Sequence, residues 1–190
     1  MIEHLDIARG PLDSDDSYSL AVVRSAGGVA LGRKTRGFGI GRLVLPGGKD
    51  RYYISGSGIG LVPGTVDVSR EVFEETGLDI DPKLFTQAAM LALDTEDDTK
   101  TVAVYRAYCR QIPLKKSSEF SELDWYDEQR LPYDEMPPDY IQWLPHVLAG
   151  YAVTTFLETD NDELVGGMIY RQQLEPLNRA EMIPIELSQP

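Results

Sequence analysis

A chain of 190 residues is long enough for one well-cored domain with extensions and short for two. Its 31 acidic residues against 18 basic ones give a formal charge of −13, so the surface as a whole repels a polyanion. That excludes a nucleic-acid partner, while a bound divalent cation and a few local basic groups can still draw in a small anion. No apolar run is long enough to span a membrane, the opening segment lacks a basic-then-apolar signal, and a single cysteine, Cys109, rules out an internal disulfide framework. The expectation is a cytoplasmic protein with no membrane partner.

Residues 1–17 are polar, with the Asp13-Ser14-Asp15-Asp16 cluster, and read as a leader. Tyr18–Val23 and Val29–Arg33 are apolar runs around Gly27-Gly28, which predicts a β-hairpin. Arg36–Arg42 is a glycine-rich loop, and Leu43-Val44-Leu45-Pro46 leads into Gly47-Gly48-Lys49. An irregular glycine-rich stretch, 50–64, precedes a helix that should begin near Thr65 or Asp67 as N-cap and end at Gly77. Leu84–Leu93 and Thr101–Arg110 read as strands joined by an acidic turn, and Cys109 falls in the second as a buried structural thiol. Leu123–Asp127 is a short strand, Asp139–Leu148 a helix announced by Pro137-Pro138, and Tyr151–Glu158 with Glu163–Gln172 a second hairpin. Residues 174–190 read as a polar tail outside a domain spanning 18–173. Strands around two helices make an α+β sandwich the natural class.

The most informative stretch is Arg70-Glu71-Val72-Phe73-Glu74-Glu75-Thr76-Gly77-Leu78. At about 3.6 residues per turn, Glu71, Glu74 and Glu75 share one helix face. Glu71 and Glu75 are like charges one turn apart, a small liability that a cation between them would reverse. Their hard oxygens suit Mg2+, with Mn2+ as a substitute. Arg70 stands one turn before Glu74, where it can hold that carboxylate in position. A solvated acidic face is the plain alternative.

The same nine residues match the second half of the Nudix box at every specified position, and the chain therefore resembles the Nudix hydrolases. The resemblance implies an α/β/α sandwich with a mixed β-sheet between helices. It also implies magnesium-dependent hydrolysis of a nucleotide, a small-molecule substrate. By the same resemblance, Glu71, Glu74, Glu75 and the carbonyl of Gly47 or Gly48 hold metal, and Arg70, Glu74 and Glu75 belong to the catalytic set. Ser118–Trp125 resembles the region that supplies a distal glutamate, which points to Glu119 as metal ligand or general base and to Glu122 as second choice, with Asp97 and Asp98 more distant.

The first half of the box departs from the pattern. Counted back from Arg70, its glycine and glutamate fall on Gly56 and Val62, so the glutamate is missing; anchoring on Leu45–Lys49 instead lengthens the loop before the helix. Gly56-Ser57-Gly58-Ile59-Gly60 lacks the following lysine and hydroxyl of a P-loop. A nucleotide-binding regulator that has lost turnover is the rival these departures leave open.

Leu31–Arg42 and Tyr133–Pro145 resemble the pocket segments of the MutT-type branch, which hydrolyses oxidised purine nucleoside triphosphates such as 8-oxo-dGTP to the monophosphate and pyrophosphate. Carried over, Lys34 approaches the phosphates, Phe38 packs on the base, Asp139 bonds the purine edge and Trp143 walls the pocket; Phe38 and Trp143 read equally as core aromatics. Val44, Pro137 and Tyr140 stand where that branch has an asparagine, a tryptophan and an aspartate. Lost polar partners of this kind weaken discrimination between similar bases, so another nucleoside diphosphate derivative is the alternative substrate.

Overall fold

A computed structural model describes residues 17–49, 64–94, 99–160, 163–173 and 180–184. The loop with Gly56 and Val62, and Asp97 and Asp98, lie outside the described residues.

Among the described residues, ten strands form one mixed sheet. β1 (Ser17–Ser25) and β2 (Gly28–Lys34) make the expected hairpin, followed by the short β3 (Leu43–Val44) and β4 (Gly47–Lys49). Then come helix α1 (Thr65–Thr76), β5 (Thr86–Asp94), β6 (Thr99–Tyr108) and β7 (Phe120–Tyr126). Helix α2 (Tyr140–Leu148) precedes β8 (Tyr151–Asp160), β9 (Glu163–Gln173) and β10 (Ala180–Pro184). The strand order is β10-β9-β8-β5-β6-β1-β2-β3, with β4 beside β1 and β7 beside β2. Two junctions are parallel, β1 with β6 and β5 with β8; the others are antiparallel.

Side chains alternate across a strand, so Ala21 and Val23 of β1 face one layer while Val22 faces the other. All three are completely buried, as befits a central strand covered on both faces. Ala21, Val23, Ala30 and Tyr105 pack with Val68 and Val72 of α1. Val22, Leu31, Leu91 and Val104 pack with Trp143, Leu144 and Val147 of α2. The result is the expected α+β sandwich, with a mixed sheet between two helices.

Some boundaries differ from the sequence reading. Helix α1 is preceded by Gly64 in a left-handed conformation (φ 93°), with no side-chain cap, in place of a cap at Thr65 or Asp67; both of these side chains are buried in its first turn. Its end is as expected, with Gly77 left-handed (φ 73°) and its N–H donating to the Phe73 carbonyl at 2.9 Å. Pro82–Leu84 is a 3-10 turn, so β5 starts later than Leu84. Cys109 lies just past β6 and is half-buried, since the strand ends at Tyr108. Ala180–Pro184, within the expected tail, pairs antiparallel with β9 because that edge strand still has a free side. No helix among the described residues is long and apolar enough to cross a membrane.

Candidate functional site

β4 and α1 bring the site together. Gly47 has φ 153°, and a Cβ there would fall 2.1 Å from the Ser19 carbonyl, so only glycine lets β4 lie this close to β1. Its N–H donates to Glu75 Oε2 at 2.8 Å, so this contact ties β4 to α1 through the amide of Gly47, the residue expected as a carbonyl ligand. Gly48 has the Glu71 carboxyl against it: an added Cβ would sit 2.8 Å from that carbon.

Along α1, Asp67, Glu71 and Glu75 stand at i, i+4 and i+8 and form a rail. Asp67 and Glu75 are buried and Glu71 is mostly so. Asp67 was read from sequence only as a cap, although the rail's spacing was there to see. Its Oδ1 lies 3.5 Å from Arg70 Nη2 and accepts no hydrogen bond among the described residues. Arg70 reaches Glu71 at 2.6 Å and, through the expected i,i+4 contact, Glu74 at 3.0 Å. Glu74 is the outlier of the trio, 53% exposed, because its position turns it from the sheet toward solvent.

Burial holds the Glu75 carboxyl above its ordinary range, against the pull of Lys34 and of the Gly47 amide; Glu71 adds a smaller upward push. The Lys34 ammonium lies 3.2 Å from Glu75 Oε1 and 3.7 Å from Glu119 Oε2. Glu119 is fixed just before β7: the Thr35 N–H and hydroxyl both donate to its carbonyl, and its own N–H donates to the Ser117 hydroxyl. Arg36 clasps Glu119 Oε1, and this contact, followed by Lys34, holds the carboxyl below the usual range. Glu122, the second choice, is drawn away by Arg33 at 2.8 Å and by the Tyr126 hydroxyl at 2.9 Å.

Among the described residues no three acidic, histidine or cysteine side chains converge into a ready cation cage. Basic groups lie between the carboxylates instead. The donor set still suits a hard divalent cation: Glu71 and Glu75 offer carboxylate oxygens beside β4, and the Lys34 ammonium already rests between Glu75 and Glu119.

The turn of the Lys34–Arg42 loop borders a cavity of about 320 Å³. The loop is closed by hydrogen bonds from the Lys34 N–H to the Arg42 carbonyl (3.0 Å) and from the Gly41 N–H to the Lys34 carbonyl (2.9 Å). Phe38, 61% exposed, lines the cavity with Lys100 5.1 Å from its ring centroid, so it is no core aromatic. Asp139 also lines it, with Oδ2 accepting the Trp143 indole N–H at 2.8 Å, and burial raises this carboxyl's pKa. Trp143, expected to wall the pocket, is completely buried behind Asp139, where it meets Tyr140 edge-on. A larger depression, about 470 Å³, lies at the β1–β2 turn, the far end of the hairpin from Lys34.

No family model matches the chain. The oxidized purine nucleoside triphosphate hydrolase of Danio rerio is 30% identical over 132 residues, covering 68% of this chain and 78% of that protein. A MutT protein from Bacillus halodurans superposes with a TM-score of 0.63 at 19% identity, covering 81% of this chain and 97% of the other. A bifunctional NMN adenylyltransferase/ADP ribose pyrophosphatase from Francisella tularensis, solved with AMP and a manganese ion, superposes with a TM-score of 0.54 at 15% identity, over 74% of this chain and 43% of that one.

Proposed function

This chain belongs to the Nudix hydrolases of MutT type, and from that premise we propose that it hydrolyses a purine nucleoside triphosphate, 8-oxo-dGTP being the first to test, to the monophosphate and pyrophosphate with magnesium. The observation that carries this reading is the closed loop from Lys34 to Arg42. Lys34 at its base meets the carboxylate cluster and Phe38 along its turn lines the cavity, an arrangement that suits a molecule with a flat base and a charged phosphate tail.

Phe38 offers the base an aromatic face and Asp139 a carboxyl for its edge, held in place by the Trp143 indole. Lys34 and Arg36 bring positive charge to the phosphate end. Glu71, Glu75 and Glu119 would hold the magnesium ion, with Arg70 orienting Glu71 and Glu74. When bound, the metal neutralises phosphate charge and acidifies water. We assign proton acceptance from water to Glu119, which Arg36 and Lys34 keep ionised. The single half-buried thiol accords with a reducing, cytoplasmic setting.

The test is a panel of normal and oxidised nucleotides incubated with the purified protein and magnesium, followed by product analysis. Pyrophosphate release with a higher kcat/KM for 8-oxo-dGTP than for dGTP is expected; no release from any nucleotide overturns the reading, and equal values remove the preference for an oxidised base. A second reading, another nucleoside diphosphate derivative, is favoured by the lack of base-reading polar groups at positions 44, 137 and 140. Val44 is buried, Pro137 has no donor, and the Tyr140 hydroxyl is turned inward to accept the Leu45 N–H at 3.4 Å.

A further inference from the structure

The two ends of the carboxylate cluster are linked by one side chain. Lys34 closes β2 with its side chain 18% exposed, its Nζ between Glu75 Oε1 and Glu119 Oε2 and 5.5 Å from the centre of the Phe120 ring. The placement is built in. Both backbone groups of Lys34 are fixed by the Arg42 carbonyl and the Gly41 N–H, and β7 starts with Phe120, so close to β2 that a Cβ on Gly32 would fall 2.4 Å from the Phe120 ring. The aliphatic stem is thus guided and only the ammonium is free to choose partners.

Its partners are the oxygens a metal would need. Glu75 Oε2 is taken by the Gly47 amide, Glu75 Oε1 by Lys34, Glu119 Oε1 by Arg36 and Glu119 Oε2 by Lys34. An ionised carboxylate as buried as Glu75 needs a compensating charge, and Lys34 is the cation the structure places beside it. A divalent ion asks for the same oxygens with twice the charge, and two cations at that range repel one another.

We propose that Lys34 is the resident cation of this site: its ammonium bridges Glu75 and Glu119 in the metal-free protein, leaves them when a divalent ion binds, and then turns to the substrate's phosphates. The inference rests on the metal-dependent reading above, and makes Lys34 a positioning residue for Glu75 and Glu119 before it is a phosphate contact.

The experiment is Mn2+ binding to the full chain without nucleotide, followed by the electron paramagnetic resonance of the free ion, for the wild type, Lys34→Met and Lys34→Arg. Lys34→Met should bind Mn2+ about tenfold more tightly, the scale of one half-buried charge contact removed. The same variant should show a lower melting temperature without metal that Mn2+ restores, and a raised KM for nucleotide. Lys34→Arg, which keeps the charge, should stay within about twofold of wild type in Mn2+ affinity. Lys34→Met binding Mn2+ as weakly as wild type, or more weakly, overturns the proposal and leaves metal dependence standing. A wild type that binds no Mn2+ overturns both. A second measurement covers a variant that fails to fold: the Lys34 Cε–Hε correlation of the wild type should shift during a Mg2+ titration and saturate with it, and a signal that stays put sinks the idea.

Discussion

Glu75 carries a conflict, a buried carboxylate that would have to be ionised to bind a cation and that the protein interior prefers neutral. Glu75→Gln keeps the volume and an oxygen for the Gly47 amide while removing the charge. Steady-state assays should show kcat lowered by roughly 100-fold or more, on the scale of lost electrostatic stabilisation. Glu74→Gln acts on an exposed side chain whose partner here is Arg70, so its melting temperature should match wild type within about 0.5 kcal/mol of stability and its kcat loss should be the smaller of the two. Asp139 gives a pH signature. Burial raises its folded pKa above the ordinary 3.8, so the fold favours the neutral acid; the stability this contributes is complete below the ordinary value and is lost as pH rises through the folded one. Asp139→Asn escapes that loss, and thermal melts should show the variant gaining on wild type from about pH 4 until the folded pKa is passed; a gap that does not widen would mean the carboxyl is not shifted. The Arg70–Glu74 contact was legible because it is one helical turn long. Lys34–Glu75 spans 41 residues and Arg36–Glu119 spans 83, distances over which spacing carries no information; these contacts became visible only once β2, β7 and α1 were side by side.

Helix α1 owes its place to elements that are easy to disturb. Val68, Val72 and Thr76 repeat at i, i+4 and i+8 and are completely buried, and the chain then turns out of the helix at Gly77. Gly77→Ala forces a side chain into φ 73° and against Lys115, whose Cβ would be 2.8 Å away; denaturant titration should show a loss of about 1–2 kcal/mol. Gly32→Ala overpacks the contact between β2 and β7, an effect of about 1–3 kcal/mol, and because Glu119 adjoins Phe120 the same change should lower kcat. The helix end and the first hairpin were readable from glycine chemistry beside apolar runs, and the second hairpin from the turn-forming residue types at 159–162. The helix start was not, because Gly64 offers no side-chain cap while Thr65 and Asp67 are of the residue types that commonly supply one. β10 was missed for a different reason: edge strands are held by backbone pairing, which a polar segment can supply as well as an apolar one.

At the scale of the whole molecule, a cation held by the folded site and not by the unfolded chain stabilises the fold. Adding Mn2+ at about 100 times its Kd should raise stability by roughly 2.7 kcal/mol, and a chelator should return the melting curve to its starting point. The same experiment on Glu75→Gln should show little gain. The mixed sheet itself has a consequence of another kind. β1, at residues 17–25, has its parallel neighbour β6 at 99–108, and β5 at 86–94 meets its own, β8, at 151–160. On the ribosome, the acidic rail of α1 therefore emerges before β6, the parallel neighbour of β1 in the layer beneath it, and before Glu119. The cluster is assembled late, by long-distance closure, and refolding from denaturant should fall in the slow regime of milliseconds to seconds typical of such wiring.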